Sequence, residues 1–211
     1  MDFDNNGNFQ AGNGTIAFKG SAANPHLGGE SITNFFNLAV QLSSSSNMIE
    51  LENHVEVANK IVFGNGLILL NESNITLASA GTIQNASYNG YLKTNGSGAL
   101  IKEVGSEGFF FPVGESTYNR LGLQNFGDVD FYSVRVSDHV LSNGVSGFSF
   151  QNKAVDATWH IMETTTGGSD LKLTFHWKTE NELPGFTRNS ITAIHHDGTD
   201  WVQVGSTGSA T

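Results

Sequence analysis

Short runs of apolar residues alternating with polar ones recur along the whole chain, broken every few residues by Gly, Asn and Ser. A period of two is the mark of strands that bury one face and wet the other. In Met48-Ile49-Glu50-Leu51 and His54-Val55-Glu56-Val57, the acidic residues fall on the positions opposite Ile49, Leu51, Val55 and Val57. Helical periodicity is nearly absent. Residues 31–42 offer one or two turns at most, and from Leu38 onward they too fit alternation better.

The first half carries an internal repeat. Segments 37–40, 54–57 and 74–77 align as Asn-Leu-Ala-Val, His-Val-Glu-Val and Asn-Ile-Thr-Leu, with starts 17 and 20 residues apart. Companion strands 48–51 and 67–70 lie between them, with Thr82-Ile83 a weaker third. Tyr91-Leu92 and Leu100-Ile101 extend the series, and residues 14–20 supply a strand of an initial coil. A repeat of about 20 residues, too thin to bury its apolar side chains alone, is what a β-solenoid stacks. The turns Asn65-Gly66, Ala80-Gly81, Asn89-Gly90 and Asn95-Gly96 supply residues tolerant of positive φ at its corners. The alternative is an antiparallel meander with hairpins at the same Asn-Gly sites.

Near residue 108 the texture changes. Of 22 Asn, 16 fall before that point, and longer alternating strands follow at 130–136, 157–162, 171–177, 190–194 and 201–204. Evenly spaced strands of this kind predict a two-sheet sandwich, with Leu171, Leu173, Phe175 and Trp177 on its core face. The expected fold is therefore all-β: a short right-handed parallel β-helix over residues 1–108, then an antiparallel β-sandwich over 109–211.

Composition narrows the function. The 211 residues hold 15 Phe, 4 Tyr and 3 Trp, enough apolar material for a packed core. With 10 basic and 20 acidic residues the net charge is −10, which disfavours nucleic acid and anionic membrane surfaces as partners. No run approaches the roughly 20 apolar residues that span a bilayer, so no membrane insertion is expected. The absence of cysteine excludes disulfides, thiolate zinc sites and a Cys nucleophile. Residues 205–211 read as a flexible tail, and the chain as an excerpt of a longer protein.

Candidate chemistry is sparse. Asp2, Asp4 and Asn6 place oxygen ligands at alternate positions like the first half of a calcium loop, but the twelfth position is Asn13, where a bidentate Glu is wanted. His195 and His196 are adjacent on a strand and point to opposite faces, which argues against a shared metal. His160 and His176 lie on alternating strands, as surface or core partners. No nucleophile elbow precedes a helix, and Glu50, Glu52 and Glu56 are explained by outward alternation, so no catalytic residue is assigned. For a carbohydrate-binding role, Tyr118, Tyr132 and Trp201 are the aromatic candidates for stacking on sugar rings, provided that they face solvent.

Several segments together carry a resemblance. They are Gly-Thr-Ile-Ala-Phe-Lys-Gly at 14–20, Phe36-Asn37-Leu38, Leu100-Ile101-Lys102, Phe111-Pro112-Val113-Gly114, Thr158-Trp159-His160-Ile161, Leu173-Thr174-Phe175-His176-Trp177, and His196-Asp197-Gly198 followed by Trp201. In this order the chain resembles a module of very large Bacteroidetes surface proteins exported by the type IX secretion system. The resemblance implies a secreted or outer-surface adhesin or scaffold without known catalytic residues. Its partners would be other domains of the same long chain, together with surface glycans or proteins. No cofactor is implied beyond the candidate calcium.

Overall fold

A computed structural model describes residues 2–21 and 24–210; Met1 and Thr211, the outer ends of the two expected domains, lie outside them. The chain is all-β, with about 50% strand and about 1% helix. The first strands are β1 (Phe3–Asp4), β2 (Thr15–Gly20), β3 (His26–Gly28), β4 (Thr33–Leu42), β5 (Met48–Leu51) and β6 (Val55–Asn65). Then follow β7 (Leu67–Leu69), β8 (Ile75–Leu77), β9 (Thr82–Gln84), β10 (Leu92–Lys93), β11 (Leu100–Val104), β12 (Phe109–Phe111) and β13 (Val113–Gly114). The last are β14 (Leu121–Asn125), β15 (Asp130–Asp138), β16 (Ala157–Glu163), β17 (Leu171–Phe175), β18 (Ile191–His196) and β19 (Trp201–Gly208).

Parallel pairing settles solenoid against meander. One sheet runs β1-β3-β5-β7-β10-β13, and a second runs β2-β4-β6-β8-β11, every neighbouring pair parallel. Paired residues lie from 19 positions apart (Met48 with Leu67) to 25 (Ile75 with Leu100), and the stack makes about 5 turns. Strands β4 and β6 are long because each serves two faces. Register shifts between Phe35 and Asn37 divide β4, so its first part pairs with residues 55–57 and its second with 60–65.

That division corrects the repeat read from sequence. Segments 54–57 and 74–77 do stack, but residues 37–40 pair with 60–63 rather than with 54–57. Both parts of β6 show the same alternation, so apolar pattern alone could not choose between them. Likewise Thr82–Gln84 joins the second part of β6 instead of following β7.

Inward columns fill the interior. Phe3, Leu27 and Leu51 stack in one sheet, and Val55, Ile75 and Leu100 in the other. Leu27, Leu51, Val55, Ile75 and Leu100 are buried. At the first coil the rings of Phe3, Phe9 and Phe35 meet edge-on at 5.2–5.7 Å and close the apolar interior. The Asn/Gly-rich start is therefore an ordered coil. Lys102 takes an inward position stacked on Leu77, and its ammonium donates to the carbonyls of Ala78 (3.2 Å) and Ser79.

The corners also correct an expectation. Gly66 has φ +100°, but Gly81, Gly90 and Gly96 do not adopt positive φ; Asn71 and Asn85 do. Gly90 and Gly96 are required by the neighbouring coil, and Gly81 by the tight turn it forms with Leu77 and Ala78. A Cβ would stand 2.6 Å from Leu77 Cδ1 at Gly81 and 2.9 Å from Phe63 Cβ at Gly90, and at Gly96 it would collide with the Asn71 carbonyl.

The parallel ladder runs past residue 108. The Phe111-Pro112-Val113-Gly114 box spans the end of β12 and the whole of β13, which lies parallel to β10. The Pro112 and Gly114 carbonyls accept the Leu92 and Thr94 amides, each at 2.9 Å. From here on the described pairing is antiparallel. β15 covers the free edge of β11, and Thr94 Oγ1 bonds the Val136 carbonyl (2.6 Å) and amide (3.0 Å). β12, β14 and β17 form a separate three-stranded sheet.

By contacts the chain divides into residues 1–137 with 159–176, and residues 138–158 with 177–211. The second unit holds the β18–β19 hairpin and a 3-10 turn at Thr179–Asn181. The expected core face of β17 is only partly covered: Leu171 is 37% exposed, whereas Leu173 and Phe175 are half-buried opposite the buried Leu123 and Leu121, with the Phe175 ring against Trp159. Residues 205–208 extend β19, so this part of the expected tail is strand.

Gly96→Ala should lower stability by about 1–3 kcal/mol, the usual range for overpacking. Gly7→Ala, which meets nothing within 4 Å, should change it little. Urea midpoints of the two variants check this, and equal midpoints would contradict the corner argument.

Candidate functional site

The richest constellation of side chains lies on the outer face of the first three coils. Because Phe3, Leu27 and Leu51 form an inward column, their neighbours on either side point outward. One outward column holds His26 beside Glu50; Asp4 pairs with Gly28 in the other, next to Glu52. The His26 amide donates to Asp2 Oδ1 (3.2 Å), and the ring nitrogens lie 3.4 Å from Asp2 Oδ1 (Nδ1) and 3.2 Å from Asp4 Oδ1 (Nε2). One ligand atom each from Asp4, His26 and Glu52 fall within 4.8 Å of one another. The slight burial of His26 works against its protonation, but hydrogen bonding to Asp4 and the charges of Asp2, Glu52 and Asp4 outweigh it and raise its pKa above the ordinary histidine value.

The calcium-loop residues are thus dispersed to other tasks. Asp4 belongs to a strand, and Asn6 Oδ1 accepts the Glu30 amide at 3.0 Å. Sequence reasoning nominated Asp2 and Asp4, set Glu52 aside as outward alternation and missed His26. Aligning Phe3, Leu27 and Leu51 at their common spacing would have brought all four together.

The three aromatic candidates separate. Tyr132 is buried at 1% exposure, and its hydroxyl accepts Asn125 Nδ2 (2.8 Å) and bonds Ser169 Oγ (2.6 Å), so it offers no face to a ligand. Its place could have been read from alternation with Val134 and Val136. Trp201 is half-buried within the second unit. It stacks edge-on with His196 (5.3 Å) and Phe150 (6.4 Å), and its Nε1 donates to the Leu141 carbonyl (2.8 Å). His195 points outward on the same strand, as the argument against a shared metal required.

Tyr118 alone lines an open depression, of about 220 Å³, together with Ile83, Asn85, Phe110, Pro112 and Arg120. Phe110 is 54% exposed, and the Arg120 guanidinium lies 4.8 Å from its ring centre. Burial raises the Tyr118 hydroxyl pKa. Phe110 and Arg120 escaped the sequence reading because neither lies in a motif.

His160 is a structural partner. Its Nε2 bonds Ser137 Oγ at 2.8 Å, and burial, with the Arg135 charge adding to it, pushes its pKa down to about 4. No protein family, curated protein or solved structure matches the chain. No helix among the described residues is long and apolar enough to cross a membrane.

Unfolded, His160 protonates near its ordinary pKa of about 6.5. Between that value and about 4 the unfolded chain binds the extra proton, so stability falls as pH falls through this window. His160→Gln should flatten the pH dependence of the urea midpoint over this interval. Unchanged dependence would acquit His160.

Proposed function

We propose that this chain is a non-catalytic structural and adhesion module of a large secreted or cell-surface bacterial protein of the Bacteroidetes type that its sequence resembles. The observation that carries this reading is the stack of about 5 parallel turns whose far edge is covered by the antiparallel strand β15. Each coil templates the next through backbone hydrogen bonds, which yields a stiff element without disulfides. An uncovered β11 would present a row of unpaired backbone groups to any passing strand. We read the antiparallel strands that follow as a sandwich-like cap. Partners under this proposal are other domains of the same long chain.

Two experiments test it. Removing residues 115–211 strips away β15 but keeps β13, and the remaining 1–114 fragment should be insoluble; a soluble, folded fragment would refute the capping role. Inserted between a surface anchor and a ligand-capture domain, the intact chain should improve bead capture over a flexible linker of equal length. Equal capture would remove the spacer reading.

A second reading is a carbohydrate-binding module attached to a glycan-degrading enzyme, and the depression at Tyr118 favours it. An exposed Phe110 ring, the half-buried Tyr118 and the Arg120 guanidinium offer stacking together with a cationic hydrogen-bond donor, a combination suited to acidic sugars. On a glycan array, binding of uronic-acid glycans that Arg120→Gln lowers at least tenfold, and Trp201→Ala leaves unchanged, would support this alternative. No retained glycan would dismiss it.

A further inference from the structure

We propose that Asp4, His26 and Glu52 form a binding site for a first-row divalent transition cation, which pins the first three coils of the solenoid together. The three side chains come from successive coils, and their ligand atoms already converge to within 4.8 Å.

Three features of the geometry carry the inference. His26 Nε2 and Asp4 Oδ1 stand 3.2 Å apart, close to the roughly 3.3 Å edge of a tetrahedron with metal–ligand bonds of about 2.0–2.1 Å. Only the flexible Glu52 side chain must swing inward to complete a set of three. The strand position between Asp4 and Glu52 is Gly28, which leaves the space open. A Cβ there would lie 2.8 Å from Glu52 Oε2 and 3.7 Å from Asp4 Oδ1. Finally, Asp2 Oδ1 sits 3.4 Å from His26 Nδ1, on the far side of the ring. The Asp2 carboxylate accepts the His26 amide and lies beside Nδ1 without hydrogen-bonding it, so its charge favours a proton on Nδ1 and leaves Nε2 for the metal.

The donor set selects the class of cation. Calcium takes six to eight oxygen ligands and makes little use of imidazole, whereas one imidazole with two carboxylates suits zinc, cobalt or manganese and leaves positions open for water. His26 thus moves the chemistry of this corner away from the calcium that Asp2, Asp4 and Asn6 alone would suggest.

The test is titration of the 211-residue chain with zinc chloride and, separately, with calcium chloride, in a buffer that does not chelate. We expect one zinc site, weakened at least tenfold by His26→Gln, Asp4→Asn and Glu52→Gln alike and unaffected by the double change His195→Ala, His196→Ala. Calcium should bind at least tenfold more weakly than zinc. In the unaltered chain, zinc should shift the ring-nitrogen resonances of His26 before those of any other histidine, a readout that needs no variant to fold. Absence of zinc binding, binding that survives all three substitutions, or first shifts at another histidine would overturn the proposal.

Discussion

Stacking of one coil on the next, at about 4.8 Å, is the constraint on which the rest of the molecule depends. In a parallel stack no coil can satisfy its own backbone, so every amide and carbonyl along a strand looks to the coil before or after it. The two ends are then special. At the first coil the interior is closed by side chains, the Phe3, Phe9 and Phe35 rings meeting edge-on. At the far end it is closed by backbone: β15 reverses the direction of pairing against β11, and Thr94 Oγ1 is fastened to both polar groups of Val136. Reversal matters because an antiparallel strand cannot serve as the template for another identical coil.

The same spacing explains why the first half is rich in asparagine and glycine. At a corner the backbone turns away from the ladder, and its polar groups lose their partners from the neighbouring coil. Asparagine amides replace them. Asn5 donates to the Ile32 carbonyl, Asn53 to Gly29 and Asn71 to Leu51, while Asn95 donates to the Asn71 side-chain oxygen and Asn59 to that of Asn37. Glycine enters where a neighbouring coil leaves no room for a Cβ. Composition that resembles low complexity is therefore specific: these asparagines, with Gly90 and Gly96, answer to neighbours 20–27 positions away rather than to their local sequence.

That separation decides what the sequence could reveal. Strand positions follow from local alternation, and most, including β5, β8, β15 and β16, were legible. Register was not, because β4 and β6 each carry two alternating faces divided by an irregularity, and either face aligns plausibly with a neighbour. β14 went unread because Gly122 interrupts its apolar run, yet it joins β12 to β17. β17 misled in the opposite sense: Leu171, Leu173 and Phe175 alternate correctly and share a face with buried Leu121 and Leu123, but as an edge strand β17 is only half-covered. Alternation shows which residues share a face and is silent on whether anything packs against it. Tyr132 and the corner at His26 divide along the same line, one legible from its strand and the other only from coil periodicity.

Coil stacking also governs the outer surface. Whatever points outward on one coil faces its counterpart on the next, and like charges placed directly opposite are destabilising. Asp4 and Glu52 escape direct juxtaposition because Gly28 stands between them, and His26 leans in beside Asp2 and Asp4. Among those carboxylates the imidazole is held toward its charged form, although its slight burial opposes this. The acidic corner therefore calls for a positive charge at one place, and the ring is the group the chain supplies there. A proton on the ring and a divalent cation bound to it are competing answers to the same electrostatic demand. A surface that only needed to avoid repulsion could have used Asn or Ser at the positions of Asp4 and Glu52. Keeping two carboxylates beside an imidazole, with an empty glycine position between them, is the arrangement in which a cation gains most.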